Sequence, residues 1–226
     1  MWGEQVIKVK ICGFTAAEDA RAACELGVDM IGVIVESQAP TPRSLTLERA
    51  KAILKAVPKA VNKVAVVTTK NPDVAGKVAR ELKPDLLQVH LSLPPLQLRR
   101  IKRLVGIELI GLVKIPQVVE NKGEIFDRAA GVAEAADYIL LDTEGFTSGG
   151  TGLIHDWGLS REICESINKP VFLAGGLNPA NVEEAIRTVR PYGVDVSSGV
   201  ESSPGRKSAA LMEAFIKAAR RFDVRR

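Results

Sequence analysis

Eight short runs rich in β-branched and aliphatic residues alternate with eight segments of helical period along the whole chain, and no other feature restricts the fold so far. The runs fall at residues 6–12, 30–35, 61–67, 86–90, 108–114, 138–142, 170–174 and 194–197; the helical segments fall near 16–26, 47–56, 72–81, 96–104, 124–134, 158–166, 179–189 and 207–221. Runs such as Met30-Ile31-Gly32-Val33-Ile34-Val35 do not alternate apolar with polar residues, so both faces of the sheet have to be covered, as parallel sheets require. Eight strand–helix units over 226 residues, about 28 each, are the arithmetic of a closed (β/α)8 barrel, an α/β fold spanning 1–226 as one domain. The rival is an open doubly wound sheet, which favours a Gly-x-Gly-x-x-Gly turn after its first strand; Cys12-Gly13-Phe14-Thr15 is not one.

Composition narrows the class of function. With 46% hydrophobic and 26% charged residues the chain can bury a full core, and its apolar runs stop well short of the roughly 18 residues that span a bilayer. No apolar stretch follows a basic cap at the N-terminus, so a cytoplasmic protein without a membrane partner is expected. Aromatics at 4% offer few rings for stacking bases, and the net charge of +4 is spread along the chain, which argues against nucleic acid and suits a small anionic substrate. Three cysteines, Cys12, Cys24 and Cys164, form no Cys-x-x-Cys pair, and a reduced compartment follows. No pair of histidines or carboxylates has the spacing of metal ligands, so no metal is expected.

In such a barrel the chemistry gathers at the C-terminal ends of the strands. Strand 1 ends in Lys10-Ile11-Cys12-Gly13, strand 4 in Gln88-Val89-His90, strand 6 in Leu141-Asp142-Thr143, strand 7 in Ala174-Gly175-Gly176 and strand 8 in Ser197-Ser198-Gly199. Gly175 and Gly176 precede Asn178, which can cap a helix, and Pro179, which suits its first turn. Tight turns alone would explain either glycine site; Gly175 and Gly176 together with Ser198 and Gly199, after strands 7 and 8, match the recurrent phosphate site of these barrels. Asp142 at a strand end is a candidate acid whose pKa burial would raise, against the plainer reading of a turn residue. Cys12 is a candidate base, pushed towards thiolate beside a helix start, against the plainer reading of a small core residue. Cys24 and Cys164, on helical segments, are read as packing.

On a ring of eight strands, positions 1 and 6 flank positions 7 and 8, so Cys12 and Asp142 wall the phosphate site from either side. Arg43, after strand 2, can take a second anionic group through its guanidinium fork. His90 and Asp195 are candidate pocket-lining residues. Thr15 with Glu18 fits a capping box, and His155 begins or caps the sixth helix.

The blocks Val9-Lys10-Ile11-Cys12-Gly13-Phe14-Thr15, Leu141-Asp142-Thr143 with Gly149-Gly150-Thr151-Gly152 and Asp156-Trp157, Phe172-Leu173-Ala174-Gly175-Gly176-Leu177-Asn178-Pro179, and Val194-Asp195-Val196-Ser197-Ser198-Gly199-Val200-Glu201 resemble the signatures of the phosphoribosylanthranilate isomerase family, in the family's order over the whole chain. The resemblance implies an Amadori rearrangement of N-(5-phosphoribosyl)anthranilate to 1-(2-carboxyphenylamino)-1-deoxyribulose 5-phosphate in tryptophan biosynthesis. It implies a general base at Cys12, a general acid at Asp142, and Arg43 on the anthranilate carboxylate. No cofactor is expected, because the substrate nitrogen serves as the electron sink. The loop 144–152 is expected to close over the substrate, and the assembly to be a monomer or a homodimer. The chain departs from the family pattern at Thr41-Pro42-Arg43, at Leu91-Ser92 after His90, and at Ser208 after Lys207. The alternatives are another phosphate-binding barrel isomerase and a barrel that only binds a phosphorylated metabolite.

Overall fold

The computed structural model describes residues 6–38, 40–144 and 154–221; the closing loop expected at 144–152 therefore lies, apart from its first residue, outside the described residues. Eight parallel strands form the ring of a nine-stranded sheet, whose ninth strand is the short Ser44–Leu45: β1 (Lys8–Cys12), β2 (Met30–Val35), β3 (Asn62–Val67), β4 (Leu86–Val89), β5 (Glu108–Ile115), β6 (Tyr138–Thr143), β7 (Val171–Leu173) and β8 (Gly193–Val196). Each pairs with its sequence neighbours, and β1 pairs with both β2 and β8, so the ring is closed. The helices α1 (Ala17–Glu25), α2 (Leu47–Lys55), α3 (Pro72–Leu82), α4 (Pro95–Val105), α5 (Lys122–Ala135), α6 (Trp157–Ser166), α7 (Val182–Val189) and α8 (Ala209–Arg220) follow the strands in turn. The chain is a (β/α)8 barrel.

The absence of alternation in the strands has its reason in two separate cores. One parity of each strand, with Val9, Ile11, Ile31, Val33, Leu87 and Val89 among them, packs outward against helix residues such as Ala20, Ile53, Val78 and Leu98. The other parity, including Met30, Val64, Val66, Leu86, Ile110, Leu112, Leu140 and Phe172, fills the barrel interior. Phe172 meets Tyr192 edge to face, with ring centroids 5.4 Å apart, and closes the floor. A Cβ on Gly193 would lie 2.5 Å from Phe172 Cε1, so the floor packs only around a residue without a side chain. Towards the C-terminal mouth the same inward parity turns polar.

Four local expectations are corrected. Helix α8 starts at Ala209, because Arg206 and Lys207 pair antiparallel with Glu201–Ser203 around a turn whose Gly205 has φ of 83°. Thr15 does not cap α1; its hydroxyl donates to the Gly205 carbonyl at 2.6 Å and ties the first loop to that hairpin. Asp156, not His155, caps α6. Regular helix α7 begins at Val182, although Asn178 does organise the preceding turn: its Oδ1 accepts from the Ala180 amide at 2.9 Å and its carbonyl from Val182 at 3.1 Å. Among the described residues no helix is long and apolar enough to cross a membrane.

Candidate active site

Cys12 ends β1 and points into the barrel, where it belongs to the interior cluster and is 6% exposed. Gly32 on β2 makes room for it: a Cβ there would lie 2.8 Å from the Cys12 sulfur. The thiol is not pushed towards thiolate as expected. Burial raises its pKa above the ordinary range, opposed by the positive charges of Lys10 and Lys207 and reinforced by Asp195.

Asp142, on the inward parity of β6, accepts from the Thr143 amide at 2.9 Å through Oδ1. Its pKa is pushed up to about 6 by burial, which outweighs that hydrogen bond and the charges of Lys114 and Lys10. The expected direction is therefore found. His90 stands 3.4 Å from Asp142 Oδ2 through Nε2, while its Nδ1 lies 3.2 Å from the Gln88 amide nitrogen. Burial pushes the His90 pKa down to about 4, so near neutrality the ring is uncharged. With Nδ1 accepting from Gln88, the remaining N–H faces the Asp142 carboxyl.

The glycine turns sit between these two groups. Gly175 and Gly176 have φ of 85° and 67°, in the left-handed region that a side chain disfavours. A Cβ on Gly175 would lie 2.1 Å from Thr143 Oγ1, and one on Gly199 would lie 2.0 Å from the Leu177 carbonyl oxygen. The turns after β7 and β8 are thus pressed together with bare backbone. Ser198–Val200 form a single 3₁₀ turn, whose first amides, those of Ser198 and Gly199, have no acceptor within it.

Arg43 is displaced from the role of an open fork. It is 8% exposed, and its Nε and Nη2 donate to the two carboxyl oxygens of Glu201 at 2.8 and 2.7 Å. Glu201 also accepts from Lys207 Nζ at 2.8 Å, and the two cations hold its carboxyl below the usual range against the effect of burial. The reason for the placement is the two-residue strand Ser44–Leu45, which pairs with the end of β2 beyond the point where β1 stops and sets the Arg43 stem over Gly13. Glu201 thus occupies the Nε–Nη2 side of the fork.

Sequence reasoning assigned no role to Lys10, Gln88, Glu201 or Lys207. Lys10 is fully buried, and its Nζ donates to Asp195 Oδ2 at 2.8 Å. Its signal was available: Val9-Lys10-Ile11-Cys12 places Lys10 on the same strand face as Cys12. His155, expected at a helix start, is buried and bridges Thr143 Oγ1 at 2.9 Å and Ser160 Oγ at 2.7 Å, which anchors the residue after Asp142. A hollow on the opposite face, lined by Arg99, Lys102, Glu134 and Asp137, has these groups tied in ion pairs at 2.6 and 2.7 Å.

A closed barrel that sets a carboxyl with a pKa near 6 and a thiol at its C-terminal mouth, beside two bare glycine turns, has the architecture of the (β/α)8 enzymes. Comparison with known proteins narrows it. The family described as N-(5'phosphoribosyl)anthranilate (PRA) isomerase matches residues 9–218. The N-(5'-phosphoribosyl)anthranilate isomerase of Methanocella arvoryzae is 42% identical over 214 residues, covering 94% of this chain and 98% of its own. The crystal structure of phosphoribosyl anthranilate isomerase from Thermotoga maritima superposes with a TM-score of 0.83 at 36% identity, covering 94% of this chain and 98% of that one. Another, of a phosphoribosyl anthranilate isomerase in complex with reduced 1-(o-carboxyphenylamino)-1-deoxyribulose 5-phosphate, gives 0.79 at 34% identity, with coverage of 94% and 98%. The chain belongs to the N-(5'-phosphoribosyl)anthranilate isomerase family.

Proposed function

We infer that the protein rearranges N-(5-phosphoribosyl)anthranilate to 1-(2-carboxyphenylamino)-1-deoxyribulose 5-phosphate, with Asp142 as general acid and Cys12 as general base. The observation that carries this reading is the placement of a carboxyl with a pKa near 6 and a thiol on the inward faces of β6 and β1, on either side of the glycine turns that follow β7 and β8. The amides of those turns hold the substrate phosphate. Arg43 takes the anthranilate carboxylate. Protonated Asp142 gives its proton to the furanose ring oxygen, the C1–O bond breaks, and the anthranilate nitrogen supplies the electron pair that forms an iminium. That cation acidifies the C2 proton of the sugar. The Cys12 thiolate removes it to give an enolamine, which tautomerises to the ketose; each proton transfer contributes roughly 10²- to 10⁴-fold. The protein works as a monomer or a homodimer on this small molecule alone.

The direct test follows anthranilate emission with substrate in excess over protein. Progressive conversion to the product signal is expected; a signal that changes only in proportion to the protein added marks a barrel that binds without turning over. The acid–base pair also sets the pH profile. The reactive form carries one proton between Asp142 and Cys12, so kcat/KM falls about tenfold per pH unit below about 6, where both groups are protonated. A profile flat down to pH about 4 contradicts the assignment.

Arg43→Ala is expected to raise KM for the full substrate by roughly 10- to 100-fold, from loss of a charge-assisted hydrogen bond of about 1.5–3 kcal/mol, and to leave the affinity for ribose 5-phosphate within a fewfold. Equal losses for both ligands would place Arg43 outside the carboxylate subsite.

A further inference from the structure

We propose that the buried ion pair between Lys10 and Asp195 tunes the reactivity of Cys12, Lys10 stabilising the thiolate and Asp195 limiting that effect. The proposal rests on the acid–base reading above and adds two positioning residues that act through the base.

The geometry starts in the strand register. Lys10 lies directly across from Asp195 on the neighbouring strand β8, and one pleat below Cys12 on its own strand. All three side chains share the inward face. Lys10 Nζ reaches Asp195 Oδ2 at 2.8 Å, and its positive charge opposes the effect of burial on the Cys12 thiol. Both members of the pair are buried, Lys10 completely and Asp195 to 7% exposure. A full positive charge is costly to bury, so its retention beneath the thiol requires a partner and a reason. Asp195 is an incomplete partner, because its Oδ2 takes one of the three N–H groups of the Lys10 ammonium while its Oδ1 accepts none among the described residues. Part of the lysine's field is therefore available to the sulfur.

The remaining charged groups around Cys12 set the background. Lys207 approaches from the hairpin that follows β8, where its ammonium is held by Glu201 at 2.8 Å and by the Ser197 carbonyl at 3.0 Å. Across the mouth stand Asp142 on β6, His90 after β4 and Lys114 on β5. Gly32 on β2 brings no charge. Lys10 is the largest favourable charge on the thiolate, ahead of Lys207, and Asp195 is the unfavourable one. Loss of Lys10 would push the thiol further from the thiolate.

The two members of the pair act on the sulfur with opposite signs, whereas a loosening of packing alone would expose the thiol in either variant and speed its alkylation in both. The test is the rate of Cys12 alkylation by iodoacetamide in the intact protein at about pH 8, read on the Cys12-containing peptide by mass spectrometry so that Cys24 and Cys164 do not contribute. Asp195→Asn is expected to speed alkylation by roughly three- to tenfold, and Lys10→Met to slow it by a similar factor, one unit of thiol pKa being about tenfold in thiolate. Rates that both stay within twofold of the unsubstituted protein, or that shift in the same direction, overturn the proposal. If Lys10→Met does not fold with Asp195 left alone, the double variant Lys10→Met/Asp195→Asn replaces it; slower alkylation than in the unsubstituted protein supports the tuning, and an equal or faster rate overturns it. These rates describe the sulfur whether or not it is the base. Full turnover in Cys12→Ser would sink the acid–base reading instead.

Discussion

Asp142→Asn is expected to lose turnover and gain stability at once. The amide cannot give a proton to the ring oxygen, so kcat falls by roughly 10²- to 10⁴-fold while a product analogue still binds. The stability change follows from the raised pKa. A carboxyl that titrates near 6 in the folded protein and about 3.9 in the unfolded chain binds its proton more tightly when folded. Its favourable contribution is in place below the unfolded value and is lost as pH rises through about 6, above which the folded protein carries a poorly solvated anion. That cost is on the order of 2–3 kcal/mol. Asparagine removes the charge and keeps the acceptor for the Thr143 amide. At pH about 8 the melting temperature should rise by several degrees, at about 2–4 °C per kcal/mol for a chain of this size, and the gain should vanish below about pH 4. Unchanged turnover would remove Asp142 from the mechanism, and a loss of stability at pH about 8 would show that its anion is well accommodated.

Cys12→Ser should cut kcat by roughly 10²-fold or more with little change in analogue affinity. A hydroxyl fits the space that Gly32 leaves for the sulfur, so packing is preserved, but it does not ionise near neutrality. Ring opening at Asp142 remains possible in this variant, whereas removal of the C2 proton does not. Exchange of that proton with deuterated solvent is therefore expected to disappear with turnover. Continued exchange would mean that another group takes the proton.

The barrel was legible because its strands carry two apolar faces, a pattern that closed parallel sheets produce and half-wet sheets do not. Cys12, Asp142 and the two glycine sites were legible for a related reason: polar or side-chain-free residues at the ends of apolar runs fall at one end of the ring. Long-range polar pairing was harder to read. Lys207 looked like the first turn of a helix because Lys-Ser-Ala-Ala-Leu is a good helical sequence, yet Glu201, six residues earlier, draws its ammonium into a hairpin. Nothing local to Arg43 reveals that Glu201, 158 residues away and next to the turn after β8, occupies one edge of its fork. The sense of the Cys12 shift was missed for the same reason. Position at a strand end suggested activation, while burial works against the anion and only the charges of Lys10 and Lys207 oppose it.

The most direct check is a crystal structure of this protein with the reduced product analogue bound. The Cys12 sulfur is expected about 3–3.5 Å from C2 of the sugar, and an Asp142 carboxyl oxygen within about 3.2 Å of the hydroxyl on C4, the former ring oxygen. A sugar bound with either group more than about 5 Å from its carbon or oxygen, or with the sulfur turned into packing, would contradict the assignment of both protons.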